Sequence, residues 1–337
     1  MEQMRGKQSI QLENAVYIIS HACVTGSKEG EGPLGKKIDC VGKDDMFGQE
    51  SWELAESAIQ QKAALMVLDK AGLSLSKIRY IFAGDLLGQL IATSFGLEEF
   101  DVPLFGLYGA CSTCGEALAL GAMTVSAGYG DYVMAMTSSH YASAEKQFRT
   151  PLEYGNQRPL AASWTVTGSG AFILSGKHGR VRISGMTIGK VVDYGIKDAL
   201  NMGAAMAPAA CDTIVQNLKD FERTPEDYDQ IITGDLGSVG QKILWDLTME
   251  QGFVIEKNHM DCGMVIYDSE KQDTHAGGSG CGCSAVTLAA YILPLLERGT
   301  WKRVLFVPTG ALLSTISFNE RQSIPGIAHG IVLEHVE

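Results

Sequence analysis

Cys111 stands where an apolar stretch, Val102 to Tyr108, runs into a segment of small residues, Gly109-Ala-Cys-Ser-Thr-Cys-Gly-Glu-Ala-Leu118. Residues 112 to 127 are almost all small or apolar and stop at Gly128, the pattern of a helix buried on every side. A thiol at the first turn of such a helix meets unpaired backbone N–H groups and the positive end of the helix dipole, which favour the nucleophilic thiolate. A small residue packed against glycines has the same signature, so on position alone Cys111 reads equally as nucleophile or as packing. Cys114, one turn on, reads as packing; Glu116, a carboxylate in an otherwise apolar helix, reads as structurally hydrogen-bonded or, second, as raised in pKa near a site. His275 lies in Asp273-Thr-His-Ala-Gly-Gly-Ser-Gly-Cys-Gly-Cys283, where the glycines leave backbone accessible; there it can serve as base or ligand donor. Arg149 and Arg158 flank a polar stretch, residues 150–157, and their guanidinium groups suit carboxylates, although a solvated loop is the plainer reading of either. Cys111-x-x-Cys114 and Cys281-Gly-Cys283 open small-residue helices rather than zinc knuckles, so no metal centre is expected.

These side chains need a scaffold. The chain has 337 residues, 45% hydrophobic and 20% charged, enough apolar material for a large core. Net charge is −12, from 39 acidic and 27 basic residues with no basic cluster, which argues against nucleic acid and against a polybasic membrane patch. Met1 to Leu12 lack the apolar core of a signal peptide, and no run reaches the roughly 18 apolar residues of a spanning helix. The eight cysteines are therefore expected as thiols.

Ser51 to Ala71 has helical spacing and ends at Gly72; strand Ile78–Ala83 follows, then Gly84-Asp85-Leu86. The same order returns later: helical Pro208 to Phe221, strand Gln230 to Thr233, then Gly234-Asp235-Leu236. Laying Cys111 on Gly282 puts Gly128 on Gly299 and Val133 on Val304, an offset of 171 each time (282−111, 299−128, 304−133). A gap-free match through helix, glycine and strand points to an internal duplication. Alternating helices and strands imply an α/β fold with parallel strands, in two pseudo-symmetric halves, 1–178 and 179–337, that share their buried helices.

The Cys111 segment, together with Ser138-Ser-His140 and Trp164-Thr-Val-Thr-Gly-Ser-Gly-Ala-Phe-Ile-Leu174, resembles the thiolase and ketoacyl-acyl-carrier-protein synthase superfamily over nearly the whole chain. That likeness implies a five-layered αβαβα fold of mixed, mostly parallel sheets, and a homodimer. Within the superfamily, Phe148-Arg-Thr-Pro-Leu-Glu-Tyr-Gly-Asn-Gln-Arg-Pro159 and His275-Ala-Gly-Gly-Ser-Gly-Cys-Gly-Cys283 are similar to the bacterial stage V sporulation protein AD family. This second resemblance implies binding of dipicolinic acid (pyridine-2,6-dicarboxylate) and its calcium-linked uptake into developing spores. It also implies membrane-embedded partner proteins of the same uptake system and a place in the forespore, at the inner spore membrane, through those partners.

Departures from the superfamily pattern matter as much. Condensing relatives pair the nucleophile with His-His or His-Asn on loops of the second half. Here Gly234-Asp235 stands at the first position, and His275 falls within about one residue of the second. An aspartate cannot donate the hydrogen bonds that stabilise an oxyanion at neutral pH. The glycine triplet of relatives is replaced by Thr309-Gly310-Ala311-Leu312. The expectation is a binding protein on a catalytically degenerate scaffold, with dipicolinate, accompanied by calcium and no other cofactor, among Cys111, Asp235, His275, Arg149 and Arg158. The alternative is an acyl-transfer enzyme of the ketoacyl synthase III type that uses Cys111 as nucleophile.

Overall fold

The computed structural model describes residues 3–148 and 158–337. The first half runs β1 (Ser9–Thr25), α1 (Trp52–Ala71), β2 (Tyr80–Gly84), α2 (Ile91–Leu97), β3 (Leu104–Gly106), α3 (Thr113–Ser126), β4 (Tyr132–Ser139), α4 (Tyr141–Phe148) and β5 (Gly168–Ser175). The second half begins with β6 (Val181–Thr187), α5 (Met202–Asp220), β7 (Gln230–Thr233), α6 (Gly237–Glu250) and β8 (His259–Asp261). It continues with α7 (Cys281–Thr287), a π turn (Leu288–Ile292), α8 (Leu293–Glu297), β9 (Arg303–Val307), α9 (Thr315–Asn319) and β10 (Gly330–His335).

Outward from the centre, the strand order is β1-β5-β4-β2-β3 in one half and β6-β10-β9-β7-β8 in the other, the same path twice. Antiparallel pairing of β1 with β6, Ser9 opposite Thr187, joins the halves edge to edge. In each half the three outer strands are parallel and the pairings nearer the centre antiparallel. The register repeats as well: Tyr80 opens β2 opposite Val133, and Gln230 opens β7 opposite Val304.

Alternation along the strands builds the layers. Ile81, Ala83, Met134 and Met136 pack outward with Ile59 and Val67 of α1, while Phe82, Val133 and Ala135 pack inward with α3. In the second half Leu305 and Val307 meet α5, while Val304 and Phe306 join the same inner core as α3 and α7. The result is five layers with α3 and α7 in the middle. This is the α/β architecture that the duplication implies. Ser51 caps α1 by accepting from Leu54 N, and Gly72 ends it in the left-handed region at φ 62°.

Two helices differ from expectation. The buried helix of the second half is broken by the π turn, because Pro294 has no N–H to serve the carbonyl four residues back and its ring crowds that turn. Helix α5 begins at Met202 rather than at Pro208. The alanine-rich turn upstream of the proline extends it, with Ala205 and Met206 buried.

Candidate functional site

Cys111 sits in a single 3₁₀ turn, Ala110–Ser112, at the head of α3. Side chains tie the turn down: Ser112 Oγ donates to Gly109 O at 2.6 Å, Thr113 Oγ1 to Ala110 O at 2.6 Å, and Gly109 N to Thr113 Oγ1 at 3.0 Å. Against it lies Thr309–Ala311, so closely that a Cβ on Gly310 would fall 2.4 Å from Gly109 O. No side chain fits at Gly310. The turn leaves Cys111 7% exposed.

Asp235, on the loop after β7, reaches the same spot. Its carboxylate accepts from Thr309 Oγ1 at 2.7 Å, Ser279 Oγ at 2.8 Å and Gly280 N at 3.0 Å, and lies beside the Cys111 thiol. Burial, reinforced by this carboxylate, pushes the Cys111 pKa well above the usual thiol value. Burial likewise raises Asp235, against the hydrogen bonds it accepts. Removing the thiol proton would place two anions in contact in a dry site, so sulfur keeps its proton. The helix-head effect that would activate Cys111 is overridden.

A further chain of bonds holds this loop. Asp261 accepts Leu236 N at 2.9 Å, Gly237 N at 3.0 Å and Thr233 Oγ1 at 2.6 Å. Trp245 Nε1 donates to His259 Nδ1 at 3.0 Å, so the proton of the neutral ring is on Nε2, which faces Thr233 Oγ1 at 3.0 Å. Burial brings His259 down to about 4, which keeps it neutral, and lifts Asp261 to about 6.

A small pocket opens over Cys111. Leu86, Tyr108, Ala144, Glu145, Phe148, Ser163, Thr165, Met202, Ser279, Ala311 and Leu313 line it. No Lys, Arg or His is among its described lining residues. Trp164–Thr165 pairs in parallel with Gly278–Ser279 and forms one wall; Thr165 and Ser279 face the pocket. Trp164 alternates to the opposite side. There Tyr141 stacks on it at 3.8 Å, and Lys28 and Arg158 lie 4.1 and 4.6 Å from its ring centre.

The structure therefore brings Cys111 and Asp235 together but leaves His275 and Arg158 elsewhere. Arg158, its side chain 4% exposed, donates to Asp273 O and Oδ2, and His275 Nε2 lies 3.0 Å from Asp273 Oδ1 with Nδ1 at Pro159 O. Ser279, not His275, meets Asp235 from that loop. The reason is visible in the duplication: Ser279 is 171 residues from Tyr108 (279−108), and both line the pocket, whereas His275 corresponds to Leu104 on edge strand β3 (275−171). Arg149 lies outside the described residues. Glu116 departs from the hydrogen-bonded reading and matches the raised-pKa one: its buried Oε2 has no hydrogen-bond partner among the described residues, and burial raises its pKa. Thr309, Ser279 and Glu145 were not anticipated as site residues.

The family model for stage V sporulation protein AD matches residues 6–334. The chain belongs to that family. It is 43% identical over 331 residues to stage V sporulation protein AD of Bacillus subtilis, a match that covers 98% of each chain. Among solved structures it is similar to 3-oxoacyl-[acyl-carrier-protein] synthase III of Aquifex aeolicus, at TM-score 0.58 and 13% identity, over 95% of this chain and 100% of that one. Human mitochondrial 3-ketoacyl-CoA thiolase gives TM-score 0.57 at 11% identity, over 97% of this chain and 100% of that one. Cerulenin-bound OleA of Xanthomonas campestris gives 0.60 at 14%, over 96% of this chain and 97% of that one. A member of this sporulation family thus carries the thiolase-like fold.

Proposed function

We propose that this chain binds dipicolinic acid as its calcium chelate in the pocket over Cys111, and that it is a binding protein rather than an acyl-transfer enzyme. The observation that carries this reading is the Asp235 carboxylate on the Cys111 thiol, an acceptor where acyl transfer needs donors. The pocket supports the chelate in particular. A bare dianion would enter a cavity that offers Glu145, with Asp235 behind Cys111, and no cation among its described lining. Calcium would neutralise the ligand, while Tyr108 and Phe148 flank the pyridine ring. Delivery to the developing spore would engage membrane-embedded partners, as the family resemblance implies; no helix among the described residues is long and apolar enough to cross a membrane.

Calorimetric titration tests the binding. Dipicolinate with excess calcium should give a saturable one-to-one isotherm, weakened about tenfold or more by omitting calcium. Absence of saturable heat under both conditions removes the proposal. Incubation with short and medium acyl-CoA should leave the mass of the Cys111 peptide unchanged; an acyl adduct there would restore the enzyme reading.

A further inference from the structure

Two walls of the pocket over Cys111 are tied to one another through buried polar side chains. One wall is Leu86, on the loop after β2, whose carbonyl accepts from the Tyr108 hydroxyl at 3.0 Å. Its neighbour Asp85 holds that loop, accepting from Leu87 N at 2.7 Å and from Thr93 N and Oγ1 at 2.8 and 2.6 Å. The other wall is α4, which presents Ala144, Glu145 and Phe148. Ser143 of α4 and Ser138 of β4 bracket the Glu56 carboxyl of α1, with Ser143 Oγ 2.8 Å from Oε2 and Ser138 Oγ 3.0 Å from Oε1. Gln60, one turn along α1, joins the two ends: its Nε2 donates to Thr93 Oγ1 at 3.1 Å and to Ser138 Oγ at 3.0 Å. The series Asp85, Thr93, Gln60, Ser138, Glu56, Ser143 thus runs unbroken from one wall to the other, and all six residues are buried.

These hydrogen bonds require a proton on Glu56. Ser143 Oγ has two acceptors in reach, Glu56 Oε2 at 2.8 Å and His140 O at 3.1 Å, and a hydroxyl has one proton for them. With a proton on Oε2, Glu56 donates to Ser143, and Ser143 donates to His140 O, which also receives Ala144 N at 3.0 Å in the first turn of α4. Thr93 donates to Asp85 and Ser138 to Glu56 Oε1, so both accept from Gln60 and every contact is filled. An ionised Glu56 would take the Ser143 proton, leave the start of α4 without that tie, and set a second anion near Asp85 in a dry site. Burial and Asp85 accordingly raise the Glu56 pKa from 4.5 to about 8, and burial raises Asp85. Among the described residues, the other titratable groups around Glu56 do not offset this. Glu53 on its own helix pairs with Lys146 of α4 at 2.6 Å, and Glu145 of α4 lines the pocket. Burial keeps the Cys281 thiol at the head of α7 protonated and lowers the pKa of His140 ahead of α4.

We infer that Glu56 is a positioning residue for the pocket: its protonated carboxyl holds α4 against the Asp85 loop, and loss of that proton releases α4 and switches binding off. This rests on the reading that the ligand occupies the pocket over Cys111. It adds a pH limit to binding, set by a side chain that does not line the pocket. The competent form is complete well below pH 8 and is lost as pH rises through about 8.

Calorimetric affinity for dipicolinate in excess calcium at pH 7 and pH 9 tests the switch, since the ligand carboxylates are ionised at both. The wild-type Kd should weaken about tenfold between them, following the protonated fraction of Glu56. Glu56→Gln should hold one affinity across the interval, because an amide accepts from Ser138 and donates to Ser143 at either pH. Hydrogen exchange reads the wall without ligand. Protection of Tyr141–Phe148, corrected for the intrinsic pH dependence, should drop about tenfold in the wild type, more than in Gly237–Glu250 of α6, and stay constant in Glu56→Gln. A wild-type Kd equal at the two pH values, or a loss that persists in Glu56→Gln, overturns the switch and leaves the binding function intact. If no saturable binding is found, exchange decides: pH-independent protection of α4 overturns the positioning role, and protection that falls as stated upholds it while the ligand reading fails.

Discussion

The hydroxyl of Thr309 lies 2.7 Å from Oδ1 of Asp235, and the backbone N–H of Asp235 reaches the same hydroxyl at 3.2 Å. Thr309 and Asp235 are two departures from the condensing-enzyme pattern, 74 residues apart, and each satisfies the other. The Thr309 hydroxyl supplies the donor that a buried carboxylate requires. Together they make the loop that faces Cys111 an acceptor site.

Thr309→Val tests that partnership. The loss of a donor to a buried carboxylate should cost about 1–3 kcal/mol, read as a lower thermal midpoint. In a double-mutant cycle with Asp235→Asn the cost should shrink, because the charge that needs the donor is gone.

Asp235→Asn should also wake the thiol. Burial, the larger cause of the raised Cys111 pKa, persists in this variant, but the adjacent carboxylate is removed. Alkylation of Cys111 by iodoacetamide at pH 8 should accelerate about tenfold, the equivalent of one pKa unit. Peptide mass spectrometry resolves Cys111 from Cys114, and an unchanged rate would mean that Asp235 does not restrain the thiol.

Gly310→Ala would drive a methyl group into Gly109 O. The turn that carries Cys111 must shift, and the overpacking should destabilise the protein by about 1–3 kcal/mol. Gly128→Ala has open space around the new Cβ but a positive φ of 78°, so its cost is backbone strain alone and does not reach the pocket. Ligand affinity in the two variants separates these effects.

Stability should fall as pH rises from about 5 to 8. Glu56, fully buried between Ser138 and Ser143, has its pKa pushed by burial and by Asp85 from 4.5 to about 8, and burial lifts Glu29 to about 7. A carboxyl raised in the folded state keeps its proton there while the unfolded chain has already lost it. The stability it contributes is complete below pH 4.5 and is lost as pH climbs through about 8. Glu56→Gln should flatten the thermal midpoint across this window, and a midpoint that rises with pH in the wild type but not in this variant would reverse the sign.

Edge strand β3 exposes 40% of Leu104 and 49% of Phe105, and nearby α2 exposes 52% of Phe95. An unpaired, apolar edge invites strand pairing, which fits the homodimer that the resemblance implies. Sedimentation should show a dimer for the wild type and a shift toward monomer for Phe105→Lys; a wild-type monomer at micromolar concentration contradicts it.

Much of this was readable in the chain. The 171-residue offset located both buried helices and both core strands, since duplicated units keep their hydrophobic periodicity, and the structure repeats it in strand register at Val133 and Val304. Asp235 was legible because the Gly-Asp-Leu phrase recurs. His275 was misplaced by reading residue chemistry ahead of register, and Ser279, in phase with Tyr108, reaches the pocket instead. The bond from Thr309 to Asp235 had no local signal, because it spans sheet and loop across 74 positions. The π turn followed from Pro294, whose effect on a buried helix could be a kink, a break or a register slip.

On the function proposed above, dipicolinate sits against a thiol held unreactive. That placement is tested most directly by the slow alkylation of Cys111 at pH 8 with and without saturating calcium dipicolinate. Occupancy of the pocket predicts at least a tenfold further slowing at Cys111, by roughly the fraction of chains left unliganded, with Cys40, half-buried and not part of the pocket lining, unaffected. An unchanged rate at Cys111 under conditions where the ligand binds would place the ligand elsewhere and contradict the account.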